Sequence, residues 1–203
     1  MKSDFRKLIL QFFQELPAYT KDMEPACIAI AQAFQEPIVK KKGEVITELS
    51  PPNKDFWFLH KGYLKELYKN KFQSEDQLFN FIPAGSIFVN EDSLFFNQRP
   101  QHYFKAYSDV SIVALEIEKF NELRAKYPAV IQLYLSGTAE IQRNRRSRLL
   151  MLRMPNTQDK IDWVREQRGD IYKVLDRVTL AQYIGVSRAS LYRAFDKTGK
   201  AQY

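Results

Sequence analysis

The sequence is poor in the residues that build metal centres and covalent cross-links. It has one cysteine, Cys27, and two histidines, His60 and His102. A single thiol forms no internal disulfide, and with two histidines it does not furnish a Cys-rich zinc or iron–sulfur site. One histidine would suffice to hold a haem iron, so that option stays open, although two strand or surface histidines are the plainer reading. No metal and no cofactor are expected. A metalloenzyme on a cupin-like roll needs several histidines and a carboxylate around the ion, which two isolated histidines do not provide. A nucleophile-plus-base arrangement and a glycine-rich phosphate loop are also missing, so no enzyme is expected. No window of about 18 uncharged apolar residues occurs, so no membrane span is expected. The opening stretch carries Lys, Arg, Asp and Glu and lacks the apolar run and cleavage site of a signal peptide. A cytoplasmic protein is the expectation.

What is present is a core-forming, unevenly charged chain. Its 203 residues suit two small domains or one large one, and 45% hydrophobic with 14% aromatic residues is enough to bury a substantial interior. The net charge of +7 is concentrated at one end. Residues 1–142 hold 17 Lys and Arg against 18 Asp and Glu, whereas residues 143–203 hold 14 against 6. A basic module joined to a neutral one is what a phosphate-binding unit on a sensor or scaffold would display. A merely solubilising surface would look the same by charge alone.

Hydrophobic spacing divides the chain. Phe5, Leu8, Ile9, Phe12 and Phe13 recur at helical intervals, and a second amphipathic helix is predicted from Pro25 to Phe34. From about Ile38 to Ile117 short aromatic and β-branched runs alternate with turn residues: EVITEL, DFWFLH, GYLKELYK, QLFNFI, SIFVN, HYFKAYS and DVSIVALEI. Seven or eight strands at such spacing predict a sandwich or barrel. The helical period then returns in EKFNELRAKY, and a long helix is predicted from Pro128 to Met154, about 40 Å at 1.5 Å per residue. Ile131, Leu135, Thr138, Ile141, Leu149 and Leu152 form an approximate seam along it, interrupted near Arg145, which reads as a dimer interface. Packing of that helix on its own β-domain is the alternative, and both can hold on different faces. The cluster Arg143, Arg145, Arg146 and Arg148 is expected to point to solvent or DNA.

The segment RVTLAQYIGVSRASLYRAFDK carries the most specific pattern. Thr179 reads as the N-cap of a short helix with Leu180, Ala181 and Ile184 inside, and small Ala181 suits a close helix crossing. Gly185 suits a turn needing a positive backbone angle, and Ser187 caps a second helix with Leu191, Ala194 and Phe195 inward. This is helix-turn-helix spacing. The second helix leaves Arg188, Ala189, Ser190, Tyr192, Arg193 and Lys197 outside. Arginine can bind guanine O6 and N7 together, small residues allow close approach, and Thr179, Ser187 and Tyr192 could bond phosphates. The alternative is a small-molecule-binding or protein-interaction module whose helical hairpin does not read DNA.

Taken in order, these parts resemble the Crp/Fnr family (cAMP receptor protein and fumarate–nitrate regulator). KKGEVI is similar to the opening turn of that family's β-roll, FWFLHKGYLKELY to a strand pair, and VTLAQYIGVSRASLYRAF to its DNA-binding element. The absence of an obvious β-wing after Lys197 resembles the compact regulators of the Bacteroidetes branch. The resemblance implies an α+β chain. Residues 1–127 would form N-terminal helices and a cyclic-nucleotide-binding-type β-roll, 128–154 a dimerisation helix, and 155–203 a helical, winged-helix-type DNA-binding domain. It further implies a homodimer on a pseudo-palindromic double-stranded operator, contact with RNA polymerase and a small-molecule effector of unknown identity. Family members that bind cyclic nucleotides carry a Gly-Glu pair and an Arg in a phosphate cassette. In the matching stretch, residues 85–106, those positions read Val89-Asn90 and Pro100, with Glu91 and Arg99 one step away. In extended chain one step reverses the face, so cAMP and cGMP are not expected. Phe88, Asn90, Glu91, Ser93, Arg99 and Gln101 remain the candidate effector pocket, and the aromatics there are equally readable as core.

Overall fold

The run DFWFLHK has apolar side chains on both faces of an extended chain, so both faces need cover. In the computed structural model, which describes residues 5–46, 55–69, 76–98 and 100–197, this run is strand β2 (Asp55–Lys61), and both faces are indeed covered. It pairs antiparallel with β5 (Ser86–Phe88) and with β7 (Val110–Glu116), and β7 pairs with the edge strand β1 (Ile38–Lys40). A second sheet sets β3 (Tyr63–Tyr68) between β4 (Gln77–Pro83) and β6 (His102–Ala106). Trp57, Leu59, Leu64, Phe88, Phe104 and Ile112 fill the space between the sheets.

Alternation along the same strands builds the other two layers. Phe56, Phe58, Val113 and Leu115 turn outward from the first sheet and are covered by α1 (Phe5–Gln14), α2 (Glu24–Ala33), α4 (Ile117–Lys126) and the long α5 (Ala129–Leu152). Leu67, Leu78 and Phe81 turn outward from the second sheet. They share a core with Met151 of α5 and with the C-terminal helices α6 (Thr157–Gln167), α7 (Gly169–Tyr172), α8 (Arg177–Ile184) and α9 (Arg188–Lys197). The chain is therefore an α+β protein in which helices sandwich a double sheet.

Several expectations need correction. In EVITEL only Val45 pairs, as an isolated bridge to Lys105, and the end of that run lies outside the described residues. The stretch around Glu91 is not extended. It forms a short helix, α3 (Glu91–Phe96), because Asn90 caps it through a bond from Ser93 N and two acidic residues fill its first turn. The one-step face reversal argued for Glu91 therefore does not apply.

Helix α5 has 24 residues, about 36 Å, and its two faces have different employment. Val130, Leu133, Gly137 and Met151 are buried on the body of the protein. Thr138 and Ile141 line a cleft beside Phe56 and Val89, and Leu152 packs on the C-terminal helices, so all three are half-buried against the chain itself. A straight helix drifts by about 20° per heptad, which carries a heptad-spaced row off any one face over three heptads. Leu135 and Leu149 remain outside, each 59% exposed, and Ile131 is half-buried. The arginine cluster divides likewise. Arg143 pairs with Glu140 at the surface and Arg146 is exposed, but Arg145 and Arg148 turn inward, contrary to the solvent-facing expectation.

The turn joining β2 to β3 rests on Gly62, at φ +85°, where a Cβ would meet the Asp109 carbonyl oxygen at 2.3 Å. Gly62→Ala combines left-handed strain with a backbone clash. A loss of about 2 kcal/mol or more is expected, seen as a melting temperature lower by about 4–8 °C in calorimetry.

Candidate nucleic-acid interface and roll cavity

Asp176, rather than Thr179, caps α8: its carboxylate accepts from Thr179 N at 2.7 Å. Burial alone would raise the Asp176 carboxyl, yet the bonds from the Thr179 amide and the Tyr107 hydroxyl hold it below its ordinary value. Thr179 is 1% exposed, and its hydroxyl bonds Asp176 and accepts from Lys65 Nζ at 2.8 Å. It belongs to the joint between the roll and the C-terminal helices and cannot reach a phosphate. This corrects both roles assigned to it. Gly185 ends α8 at φ +67°, with Leu152 packed so closely that a Cβ would lie 2.8 Å from its Cδ2. The chain then turns, and Ser187 Oγ accepts from Ser190 N at 3.1 Å to start α9.

Leu191 of α9 is fully buried, and Ala194 and Phe195 are half-buried against the same core. Arg188, Ala189, Tyr192 and Arg193 form the outward face, joined at its far end by Asp196. Arg193 bends back onto its own helix, Nε donating to the Ala189 carbonyl at 3.3 Å and Nη2 to Ser190 Oγ at 3.3 Å. Arg188, one turn earlier, has no ion pair among the described residues. Arg177 stacks over Tyr192 at 5.3 Å and Phe195 at 5.7 Å, fixing the tyrosine at the rim. An exposed two-arginine helix with a small residue between suits a groove, because it presents paired donors without bulk. Lys197 closes α9, and nothing is described of its side chain.

A cavity of about 220 Å³ lies on the other side of the second sheet, between the roll and α5. Of the five expected pocket residues that are described, Phe88 and Glu91 line it, and Phe88 is also core, stacked on Trp57 and edge-on to Phe104. Asn90 is committed to capping α3, and Ser93 is buried in that helix. Gln101 lies at a separate shallow cleft with Tyr68, Phe79, Asp92 and His102. Arg99 lies outside the described residues. The cavity's polar lining comes instead from Glu66, Asn80, Asn144, Arg145 and Arg168. Glu66 was findable: in YLKELY it occupies the inward face beside Leu64, where a half-buried strand should carry an apolar residue.

Glu66 is 1% exposed. Its Oε1 lies 3.3 Å from Arg145 Nη2 and 3.5 Å from His102 Nε2, while Arg145 Nη1 bonds Glu91 at 3.1 Å. Glu66 Oε2 has no hydrogen-bond partner of normal geometry, although the Asn80 side chain lends it partial support. Burial pushes the Glu66 carboxyl up from its ordinary value, against the pull of Arg145 and His102. One turn along α5, Arg148 donates to the carbonyls of Phe79 (2.8 Å), Leu78 (3.3 Å) and Tyr183 (2.9 Å). The last of these is one of the carbonyls left over at the end of α8, so Arg148 ties the roll to the helix-turn-helix through a helix C-terminus. Among the described residues no three His, Cys, Asp or Glu side chains converge as a metal site. No described helix is long and apolar enough to cross a membrane.

Arg145→Met strands Glu66 as a buried charge and is expected to cost about 3–5 kcal/mol in urea unfolding at neutral pH. A carboxyl whose native pKa is raised binds its proton more tightly when folded. The deficit should therefore shrink as pH falls toward the ordinary glutamate range, and the double variant Arg145→Met/Glu66→Gln should recover most of it.

No family model and no curated protein sequence matches the chain. Solved structures do. The "c-di-GMP responsive global regulator CLP" of Xanthomonas campestris matches with TM-score 0.66 and 11% identity, over 86% of this chain and 91% of its own. A cyclic nucleotide-binding domain containing protein from Listeria monocytogenes matches with TM-score 0.67 and 12% identity, over 95% and 89%. FixK2 of Bradyrhizobium japonicum matches with TM-score 0.65 and 15% identity, over 82% and 84%. The chain has the fold of the Crp/Fnr regulators: a cyclic-nucleotide-binding-type roll and a helical C-terminal unit.

Proposed function

We propose that the protein is a homodimeric, DNA-binding transcription regulator of the Crp/Fnr type, with α9 entering the major groove and the roll cavity receiving a signal. One observation carries the reading. Arg188 and Arg193 stand on the exposed face of a capped helix that its neighbours hold clear of the body, at the basic end of the chain. Arginine forks there can read guanine, Ala189 lets the backbone approach, and Ser187 and Tyr192 are placed for phosphate contacts. The outer face of α5, with Leu135 and Leu149 more than half exposed, supplies apolar surface for a second copy. A two-fold dimer would bind half-sites about one helical turn, roughly 34 Å, apart.

Selection of random-sequence DNA by the purified chain tests this directly, and an inverted repeat is the expected product. Affinity for the selected site should fall about a thousandfold or more between 50 and 200 mM salt. A salt-insensitive association would instead favour a protein-interaction module. Arg188→Ala should lose about 1–3 kcal/mol of discrimination at one base per half-site in competition binding. Leu135→Asp and Leu149→Asp should each yield monomers by light scattering and abolish tight operator binding while leaving the circular dichroism spectrum intact.

A further inference from the structure

The cavity between roll and α5 has a definite electrostatic preference. Two arginines line it, and each has a carboxylate beside it. Arg145 is divided between Glu66 and Glu91, and Arg168 lies 3.5 Å from Asp170. Two carboxylates against one shared guanidinium leave an excess of acceptor. The under-used acceptor is specific: Oε2 of Glu66, which lines the cavity on a side chain 99% withdrawn from water, lacks a partner of normal geometry and has only the weak support of Asn80. A buried carboxylate oxygen left in that state costs free energy, and a donor from a ligand would recover it. An anion entering the same space would face the carboxylates of Glu66 and Glu91. The amides of Asn80 and Asn144 add neutral groups that both donate and accept. A volume of about 220 Å³ is below the usual 300–1,000 Å³ of drug-sized sites, so the occupant is small.

We propose that this cavity binds a small, non-anionic ligand through a hydrogen-bond donor, an ammonium or a hydroxyl group, placed on Oε2 of Glu66, and that it excludes phosphate esters. This rests on the reading of the roll as the sensing unit, but it stands apart from DNA binding: a chain that selects an operator yet fails the test below fails only here. A donor ligand would also compete for the carboxylate that Arg145 holds. That places its effect one helical turn from Arg148, the residue bonded to the end of α8.

The test uses the full chain and follows the side-chain amide resonances of Asn80 and Asn144 by NMR. The probes are methylammonium, ethanolamine, ethylene glycol, inorganic phosphate and cAMP. Ethanolamine is expected to shift both resonances in the millimolar range, and phosphate and cAMP are expected to leave them in place. Methylammonium and ethylene glycol used separately decide whether the ammonium or the hydroxyl is the recognised group. Glu66→Gln should weaken ethanolamine at least tenfold. Glu91→Gln, which releases half of Arg145, should raise the response to phosphate, and this isosteric change at a partly exposed lining residue keeps the test available should Glu66→Gln fold poorly. The proposal is overturned if phosphate or cAMP moves the resonances of the unaltered chain, if neither amine nor diol moves them, or if Glu66→Gln binds ethanolamine unchanged.

Discussion

Two guanidinium groups withdrawn from water, those of Arg145 and Arg148, govern how the rest of this molecule is arranged. A charge taken from solvent needs partners: Arg145 finds two carboxylates of the roll through its Nη atoms, and Arg148 finds backbone carbonyls of β4 in the roll and of α8 beyond it, while the Nε of each is buried without a partner. Burial draws the Arg148 guanidinium below its ordinary pKa, but a group that starts so high stays charged and therefore stays bound to its carbonyls. With these two anchored, α5 cannot rotate on the roll without breaking several buried contacts at once. Its apolar outer face and the position of α8 follow from that one orientation. Leu152, packed against Gly185, fixes the turn before α9 from the same helix.

The general layout was legible because hydrophobic spacing reports directly on burial. The doubly apolar DFWFLH run, the return of helical period after Ile117 and the Gly185–Ser187 turn each announced a piece of architecture that the coordinates contain. The helix α3 escaped because six residues are too few for a period to emerge, and its aromatic Phe95 and Phe96 imitate a strand. Thr179 was misjudged for a different reason. A threonine and an aspartate three residues apart are both good caps, and only the partner across space, Lys65, decides which is buried. The cavity was the least legible part. Asn144, Arg145 and Arg168 lie 78 or more residues from Glu66 in the chain, and an inward arginine looks identical in sequence to an outward one.

Strand β3 serves two masters on alternate residues. Leu64 and Glu66 face the interior and its cavity, while Lys65 reaches Thr179 and Leu67 packs beneath α8 and its neighbours. The spacing between the cavity carboxylate and the helix-turn-helix joint is thus a single peptide unit. A displacement at Glu66 passes along a strand held in continuous register by β6, while its register against β4 shifts between Glu66 and Leu67.

That adjacency has a consequence for how two such chains would respond together. The described contacts that join the cavity to α8, through Glu66, Lys65 and Thr179, all lie within one chain, so in the proposed dimer each copy would carry its own route from cavity to α9. Occupancy would then be registered subunit by subunit, with half-filled assemblies as genuine intermediates, so the dose–response curve would be graded rather than sigmoidal.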